Sequence, residues 1–118
     1  NVLLRRLGGP EAFTAMAREL GDEQTRVDRY EPECNAVWPD DPRDTTTPAG
    51  YAGLTAALVH GDALGPGSRA KLQRWMIETQ TGQMRLRAGL PKSWRSGDKT
   101  GTMNGTDYIN RVNDVAVA

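Results

Sequence analysis

The feature that most limits how this 118-residue chain can fold is a stretch of sixteen residues, Arg29 to Asp44, with the sequence RYEPECNAVWPDDPRD. The stretch contains three prolines and five carboxylates. Because proline has no backbone N–H and a fixed φ, a segment with three prolines cannot form a continuous helix or a central strand. A flexible linker would explain the prolines but not Cys34, Val37 and Trp38, which are residue types that proteins usually bury in part. We therefore expect an ordered loop held at its base, called here the 29–44 loop.

Helical patterns lie on both sides of this loop. Helices are predicted at residues 1–7, 10–20, 48–61 and 68–80, with a short helical turn at 83–89. Pro10 and Pro48 stand where a first helical turn tolerates proline, and Thr47 is placed to cap the third helix. The apolar positions of the fourth helix predict an inner face made of Leu72, Trp75, Met76 and Thr79.

The pattern changes near residue 93. Residues 93–102 have the length and bounding glycines of a strand, and residues 113–118 predict a second strand with Val115 and Val117 on one face. The polar residues 103–112 would form the turn between them. We therefore expect an α+β fold in which a helical part (1–92) precedes two strands of an antiparallel sheet (93–118). Together they would form a fragment of one larger domain, incomplete at both ends.

Composition excludes several classes of function. Lysine plus arginine and aspartate plus glutamate number 15 each, so a net charge of zero gives no support for a nucleic-acid partner or an anionic membrane surface. The sequence has no apolar run of about 18 residues, the length needed to span a membrane. Cys34 and His60 are the only cysteine and histidine, too few for a zinc site. A single cysteine also leaves the redox compartment undetermined.

Two short patterns suggest chemistry. Lys99-Thr100-Gly101 combines an ammonium group, a hydroxyl and an approachable backbone, which suits the binding of a carboxylate, although a polar strand edge is the ordinary alternative. Glu31 and Asn35 stand four residues apart on a loop stiffened by proline. They could hold a water molecule between them, with Glu31 as general base, although a simple proline-rich turn would look the same.

A third pattern is the pair Arg29 and Asp44, which flanks the 29–44 loop. A bidentate ion pair between them would close the loop at its neck, as in an Ω-loop. The alternative is two separate solvated charges. No single pattern decides between these interpretations.

In combination, the patterns resemble a known family. Glu-Pro-Glu-x-Asn at 31–35, Arg-Asp-Thr-Thr-Thr-Pro at 43–48 and Asp-Lys-Thr-Gly-Thr at 98–102 resemble class A serine β-lactamases in order and spacing. The resemblance runs from residue 1 to about residue 102. It implies a β-lactamase/transpeptidase-like fold and hydrolysis of β-lactam antibiotics through a serine acyl-enzyme. It also implies no cofactor, no nucleic-acid or membrane partner, and a periplasmic or secreted protein.

The resemblance assigns roles to individual residues. Glu31 matches the general base for deacylation, Asn35 the residue that positions the water, and Thr102 the residue whose backbone N–H helps to form the oxyanion hole. The residues that match substrate-binding positions are Lys99, Thr100, Gly101 and Arg85. Those that match structural supports of the site are Asn1, Arg29, Pro32 and Asp44, with Glu31–Pro32 expected to be a cis peptide.

The sequence also departs from the family pattern. The nucleophilic Ser-x-x-Lys and the Ser-Asp-Asn motif are expected before the glutamate and are not found there. Ser68-Arg-Ala-Lys71 fits the first pattern but follows the glutamate, so we interpret Ser68 as a helix-start residue. The isolated chain is therefore expected to be inactive, and alternatives are a non-catalytic or complementing fragment and a penicillin-binding transpeptidase relative. The glutamate loop argues against the last of these.

Overall fold

The computed structural model describes residues 1–36, 38–103 and 111–118. Its helices and strands are α1 (Val2–Arg6), α2 (Pro10–Glu19), α3 (Pro48–Val59), α4 (Pro66–Ile77), β1 (Gly97–Met103) and β2 (Arg111–Val117), with 3-10 turns at Glu33–Asn35 and Leu86–Gly89. Four helices followed by an antiparallel pair of strands confirm the predicted α+β class. Val37 and most of the predicted 103–112 turn lie outside the described residues.

The chain divides into two units, with the boundary inside α3. The first unit includes Asn1–Leu54, and the second includes Thr55–Met103 and Arg111–Ala118. Each unit contains one group of the residues that the sequence singled out. The 29–44 loop belongs to the first unit and the Lys99-Thr100-Gly101 strand to the second.

A buried polar network organises the first unit. Asp22 is only 4% exposed, and its Oδ1 accepts hydrogen bonds from the backbone N–H groups of Gln24 and Thr25 at 2.9 and 3.0 Å. Burial by itself raises the pKa of Asp22, but the hydrogen bonds from Thr25 and Gln24 leave that pKa below its usual value. Arg18 on α2 donates to the backbone oxygen of Thr25 at 2.8 Å, so the network ties α2 to the segment that enters the 29–44 loop.

The start of α3 follows the sequence prediction. Thr47 Oγ1 accepts the backbone N–H of Gly50 at 3.1 Å, as expected for an N-cap residue, and Pro48 occupies the first helical position. A side chain at Gly50 would lie 2.7 Å from Asp22 Oδ1, so glycine allows the buried carboxylate to pack against the helix.

The second unit is built on the β1–β2 hairpin. The strands pair in antiparallel register from Gly97 opposite Val117 to Met103 opposite Arg111. At Gly97 an added Cβ would lie 2.7 Å from the backbone carbonyl carbon of Met76, so glycine permits close contact between β1 and α4. Met76 is 7% exposed and Val59 1% exposed, and both contribute to the apolar core of this unit.

Next to the core, β1 carries a fully buried carboxylate. Asp98 is 0% exposed, and its Oδ1 accepts a hydrogen bond from Arg87 Nη1 at 3.0 Å. Gly82 has a φ of +80°, and a Cβ at that position would clash with Asp98 Oδ2. The segment before the second 3-10 turn therefore approaches β1 only because residue 82 is glycine.

Three details of the sequence prediction for the second unit were wrong. Trp75 is 59% exposed instead of facing the core, because it lies on the side of α4 where Lys71, one turn earlier, places its ammonium 5.2 Å from the ring centroid. The helix also begins at Pro66 and ends at Ile77, which leaves Thr79 outside it. Pro66 can open the helix because the missing N–H has no helical partner at that position. β1 starts at Gly97 and not at residue 93.

The cap of α3 gives a first testable prediction. Thr47→Ala removes the acceptor for the Gly50 N–H and should lower the free energy of unfolding by about 1 kcal/mol. Thr47→Ser, which keeps the hydroxyl, should lose less than half of that. Urea unfolding followed by circular dichroism measures the difference, and equal losses in the two variants would contradict the cap assignment.

The contact between Gly82 and Asp98 gives a second prediction. Gly82→Ala forces a side chain into the left-handed region and against a buried carboxylate, so it should lower the free energy of unfolding by about 2–4 kcal/mol. Gly89→Ala is the matched control, since its Cβ would meet nothing within 4 Å and its φ is not positive. Urea midpoints that fall equally in the two variants would show that the close approach at Gly82 is unimportant.

Candidate active site

Asp44 closes the neck of the 29–44 loop. Its Oδ2 accepts from Arg29 Nε at 2.6 Å, and its Oδ1 accepts the backbone N–H groups of Asp28 and Arg29 at 2.7 and 3.0 Å. The ion pair suggested by the sequence is therefore present. It is not bidentate, because Asp44 Oδ1 binds backbone N–H groups and only Oδ2 binds the Arg29 side chain. Arg29 Nη1 instead reaches across the loop to the carbonyl oxygen of Ala36 at 3.2 Å.

Asp28 reinforces the neck from the other side. Its Oδ2 accepts the backbone N–H of Asp44 at 2.8 Å, so Asp28 and Asp44 each bind the backbone of the other. Arg26 Nε donates to the same carboxylate at 2.9 Å. The hydrogen bond from Arg26 lowers the pKa of Asp28 below its usual value, against the opposing effect of burial, and keeps Asp28 ionised at neutral pH.

Asn1 holds Glu31 by its backbone. Asn1 Nδ2 donates to the Glu31 carbonyl oxygen at 2.6 Å, and Asn1 Oδ1 accepts the Glu31 N–H at 2.8 Å. The Glu31–Pro32 peptide bond is cis, as expected. Both backbone polar groups of Glu31 are therefore bound by one amide side chain, which fixes the direction in which the Glu31 side chain leaves the loop.

Asn35 contacts the side chain of Glu31 directly. Asn35 lies at the end of the 3-10 turn Glu33–Asn35, and its Nδ2 donates to Glu31 Oε2. Glu31 is exposed, and both it and Cys34 line a cavity of about 390 Å³ within the first unit. Partial burial, together with the negative charge of Glu31, raises the pKa of the Cys34 thiol, so Cys34 remains protonated beside the carboxylate.

In the second unit, β1 carries Lys99, Thr100, Gly101 and Thr102. Lys99 is exposed on the strand, with its Nζ 2.5 Å from the carbonyl oxygen of Thr100. Arg85 lies next to the same strand: its Nη2 donates to Thr102 Oγ1 at 3.1 Å and its Nη1 to the Asn113 carbonyl oxygen at 2.8 Å. The two cationic side chains and the Thr100 hydroxyl thus surround one short length of strand, an arrangement suited to an anionic ligand.

The second 3-10 turn contains residues that bind carboxylates of the two strands, and sequence reasoning missed these contacts. Arg87 binds the buried Asp98, and the backbone N–H of Leu86 donates to Asp114 Oδ2 at 3.0 Å. These contacts join this segment to both strands of the hairpin. Neither pair has a local sequence signal, because the partners are far apart along the chain.

The structure brings the predicted residues together in two groups. The first unit contains the Glu31 group, with Asn1, Asn35 and the neck pair, and the second contains the residues along β1 with Arg85. In the described ranges, no cluster of three or more His, Cys, Asp or Glu side chains is arranged to hold a metal ion. No helix in those same ranges is both long enough and apolar enough to cross a lipid bilayer.

Similarity to known sequences was found over the whole chain. A family model described as the beta-lactamase enzyme family matches residues 1–118. Beta-lactamase FAR-1 of Nocardia farcinica is 52% identical over 118 residues, which are 100% of this chain and 36% of that protein. Beta-lactamase CTX-M-6 of Salmonella typhimurium is 50% identical over 99% of this chain and 39% of its own length. The chain thus spans less than two-fifths of the length of these curated relatives.

Solved structures give the same result. The ancestral (GNCA) class A beta-lactamase is 55% identical with a TM-score of 0.86, and the match covers 98% of this chain and 43% of that one. The beta-lactamase from Streptosporangium roseum is 44% identical with a TM-score of 0.88, over 98% of this chain and 42% of that one. These likenesses confirm the expected β-lactamase-type fold. The chain belongs to the beta-lactamase enzyme family, and within it to class A.

Proposed function

We propose that residues 1–118 work within a class A β-lactamase domain longer than this chain, where they supply the base for deacylation and the strand that binds the substrate. The observation that carries the proposal is the pair of contacts on Glu31. Asn1 binds its backbone from both sides and Asn35 binds its carboxylate. A glutamate held so firmly and still exposed is arranged to act on a small molecule that reaches it from solvent.

The proposed chemistry of the Glu31 group is the second half of β-lactam hydrolysis. Glu31 takes a proton from a water molecule while the water oxygen forms a bond to the acyl carbonyl carbon. When the ester bond to the serine breaks, the proton that Glu31 accepted passes on to the serine oxygen, and Glu31 becomes a carboxylate again. Asn35 Nδ2 binds Oε2 of the carboxylate, which orients Glu31, and the Asn35 side-chain oxygen is a second acceptor for the water. Pro32 and the neck pair Arg29–Asp44 keep this arrangement fixed.

The proposed role of β1 is to bind the substrate. Lys99, Thr100 and Arg85 would hold the carboxylate that β-lactams carry, and Gly101 would let the ligand approach the backbone. The backbone N–H of Thr102 would donate to the carbonyl oxygen as negative charge develops on it. The nucleophilic serine would come from a part of the domain outside these residues.

The same proposal covers partners and location. The partners are a β-lactam substrate and the rest of the domain, and no metal or organic cofactor takes part. Because the family acts on antibiotics that reach the cell from outside, we place the protein in the periplasm or outside the cell.

The role of Glu31 is tested in the complete enzyme. Glu31→Ala should slow deacylation by about 10²–10⁴-fold, so that the acyl-enzyme accumulates and intact-mass spectrometry after mixing with a penicillin shows the added mass of the drug. Glu33→Ala is the matched control, since Glu33 is an exposed carboxylate two residues away, whereas Asn1 and Asn35 bind Glu31. The control should turn over the penicillin without accumulating an adduct.

Two outcomes would count against this role. If Glu31→Ala shows no adduct and no turnover, Glu31 is needed before the acyl-enzyme forms. If it hydrolyses the penicillin at the rate of the unmodified enzyme, another group activates the water.

The isolated chain gives a separate prediction. Purified residues 1–118 should not hydrolyse a chromogenic cephalosporin above the rate in buffer, whereas the complete enzyme should. The physical reason is that the nucleophilic serine is proposed to come from outside these residues, so no acyl-enzyme would form for Glu31 to act on. Turnover by the isolated chain would contradict the prediction, and loss of that turnover in Ser68→Ala would identify Ser68 as the nucleophile.

A further inference from the structure

We propose that Thr81 is a positioning residue for substrate binding, and that it acts by donating a hydrogen bond to the hydroxyl of Thr100. The two hydroxyl oxygens are 3.0 Å apart, although the residues are nineteen positions apart in the sequence. This inference rests on the proposed function of Thr100 in binding the substrate carboxylate. It adds a residue that no sequence motif pointed to.

The local backbone makes this contact possible. Gly82, directly after Thr81, has a φ of +80°, and a Cβ there would lie 3.0 Å from Thr100 Cγ2. The turn therefore meets Thr100 on two sides, with the backbone of Gly82 near its methyl group and Thr81 at its hydroxyl. Because threonine is stiff about χ1, fixing both branches leaves one direction for the hydroxyl.

The direction of the hydrogen bond follows from counting protons. A hydroxyl has one proton to donate, whereas a carboxylate can only accept. Thr100 can therefore donate to a bound carboxylate only if it does not donate to Thr81. When the substrate is bound, Thr81 must be the donor and Thr100 the acceptor, and a hydroxyl that accepts one hydrogen bond becomes a better donor for the next.

The two neighbouring cations donate to groups other than the Thr100 hydroxyl. Arg85 donates to Thr102 Oγ1 and to the Asn113 carbonyl oxygen, and the Lys99 ammonium lies against the Thr100 carbonyl oxygen. Among the described residues, Thr81 is the side chain that contacts the Thr100 hydroxyl. Removing its hydroxyl should therefore weaken the Thr100 contact to the substrate and leave the Glu31 chemistry intact.

The test compares Thr81→Val with Thr81→Ser in the complete enzyme, using a penicillin as substrate. Thr81→Val keeps the shape and loses the hydroxyl, so KM should rise about fivefold, as expected for one lost hydrogen bond, while kcat stays within about twofold. Thr81→Ser should restore KM to near the unmodified value. Thr79→Val, the same change two residues away, serves as the control and should leave KM unaltered.

A double-mutant cycle with Thr100→Val separates this inference from the proposed function. If Thr81 acts through Thr100, Thr81→Val should have no further effect on KM once Thr100 is valine. Full additivity of the two changes, or a KM that is unchanged or lower in Thr81→Val, would overturn the role of Thr81. If Thr100→Val itself leaves KM unchanged, the substrate role of Thr100 fails, and the inference fails with it.

Discussion

The order of the 29–44 loop depends on the hydrogen bonds that the Asp44 carboxylate accepts. Three N–H groups, two from the backbone and one from Arg29, converge on its two oxygens, and Asp28 returns the interaction by binding the Asp44 N–H. Apart from the short 3-10 turn Glu33–Asn35, the proline-rich loop has no regular helix or strand to hold it, so side chains bind much of its backbone. With the neck closed in this way, Glu31 becomes a fixed group and not one end of a mobile segment.

In the second unit, a buried carboxylate likewise holds a segment that has little regular structure of its own. Asp98 has no exposure to water and is paired with Arg87, and Gly82 leaves room for the carboxylate. A buried carboxylate without its partner would cost several kcal/mol, so this pair fixes the packing of the segment against β1. That packing brings Arg85 and Thr81 to the strand that carries Lys99 and Thr100. In both units a buried or half-buried acid places the residues that are proposed to act on the substrate.

Features set by neighbouring residues were predictable from the sequence. The Thr47 cap belongs to a short contiguous pattern, and such patterns also identified the family, whose resemblance implied the cis Glu31–Pro32 bond. Features set by distant partners were not. The pairing of Arg87 with Asp98 depends on how a turn packs on a strand, and helical periodicity could not show that Trp75 points to solvent while its neighbour Met76 is buried. The roles assigned to the site residues remain predictions.

The most direct test of the central claim is a high-resolution crystal structure of the complete enzyme acylated by a slowly hydrolysed penicillin. We expect an ordered water molecule within hydrogen-bond distance of both the Glu31 carboxylate and the Asn35 side chain, and facing the acyl carbonyl carbon. We also expect the Asn1 contacts to the Glu31 backbone to be unchanged. An acyl-enzyme in which Glu31 has left Asn1 and Asn35, with the water held by other groups, would show that Glu31 is not the base for deacylation.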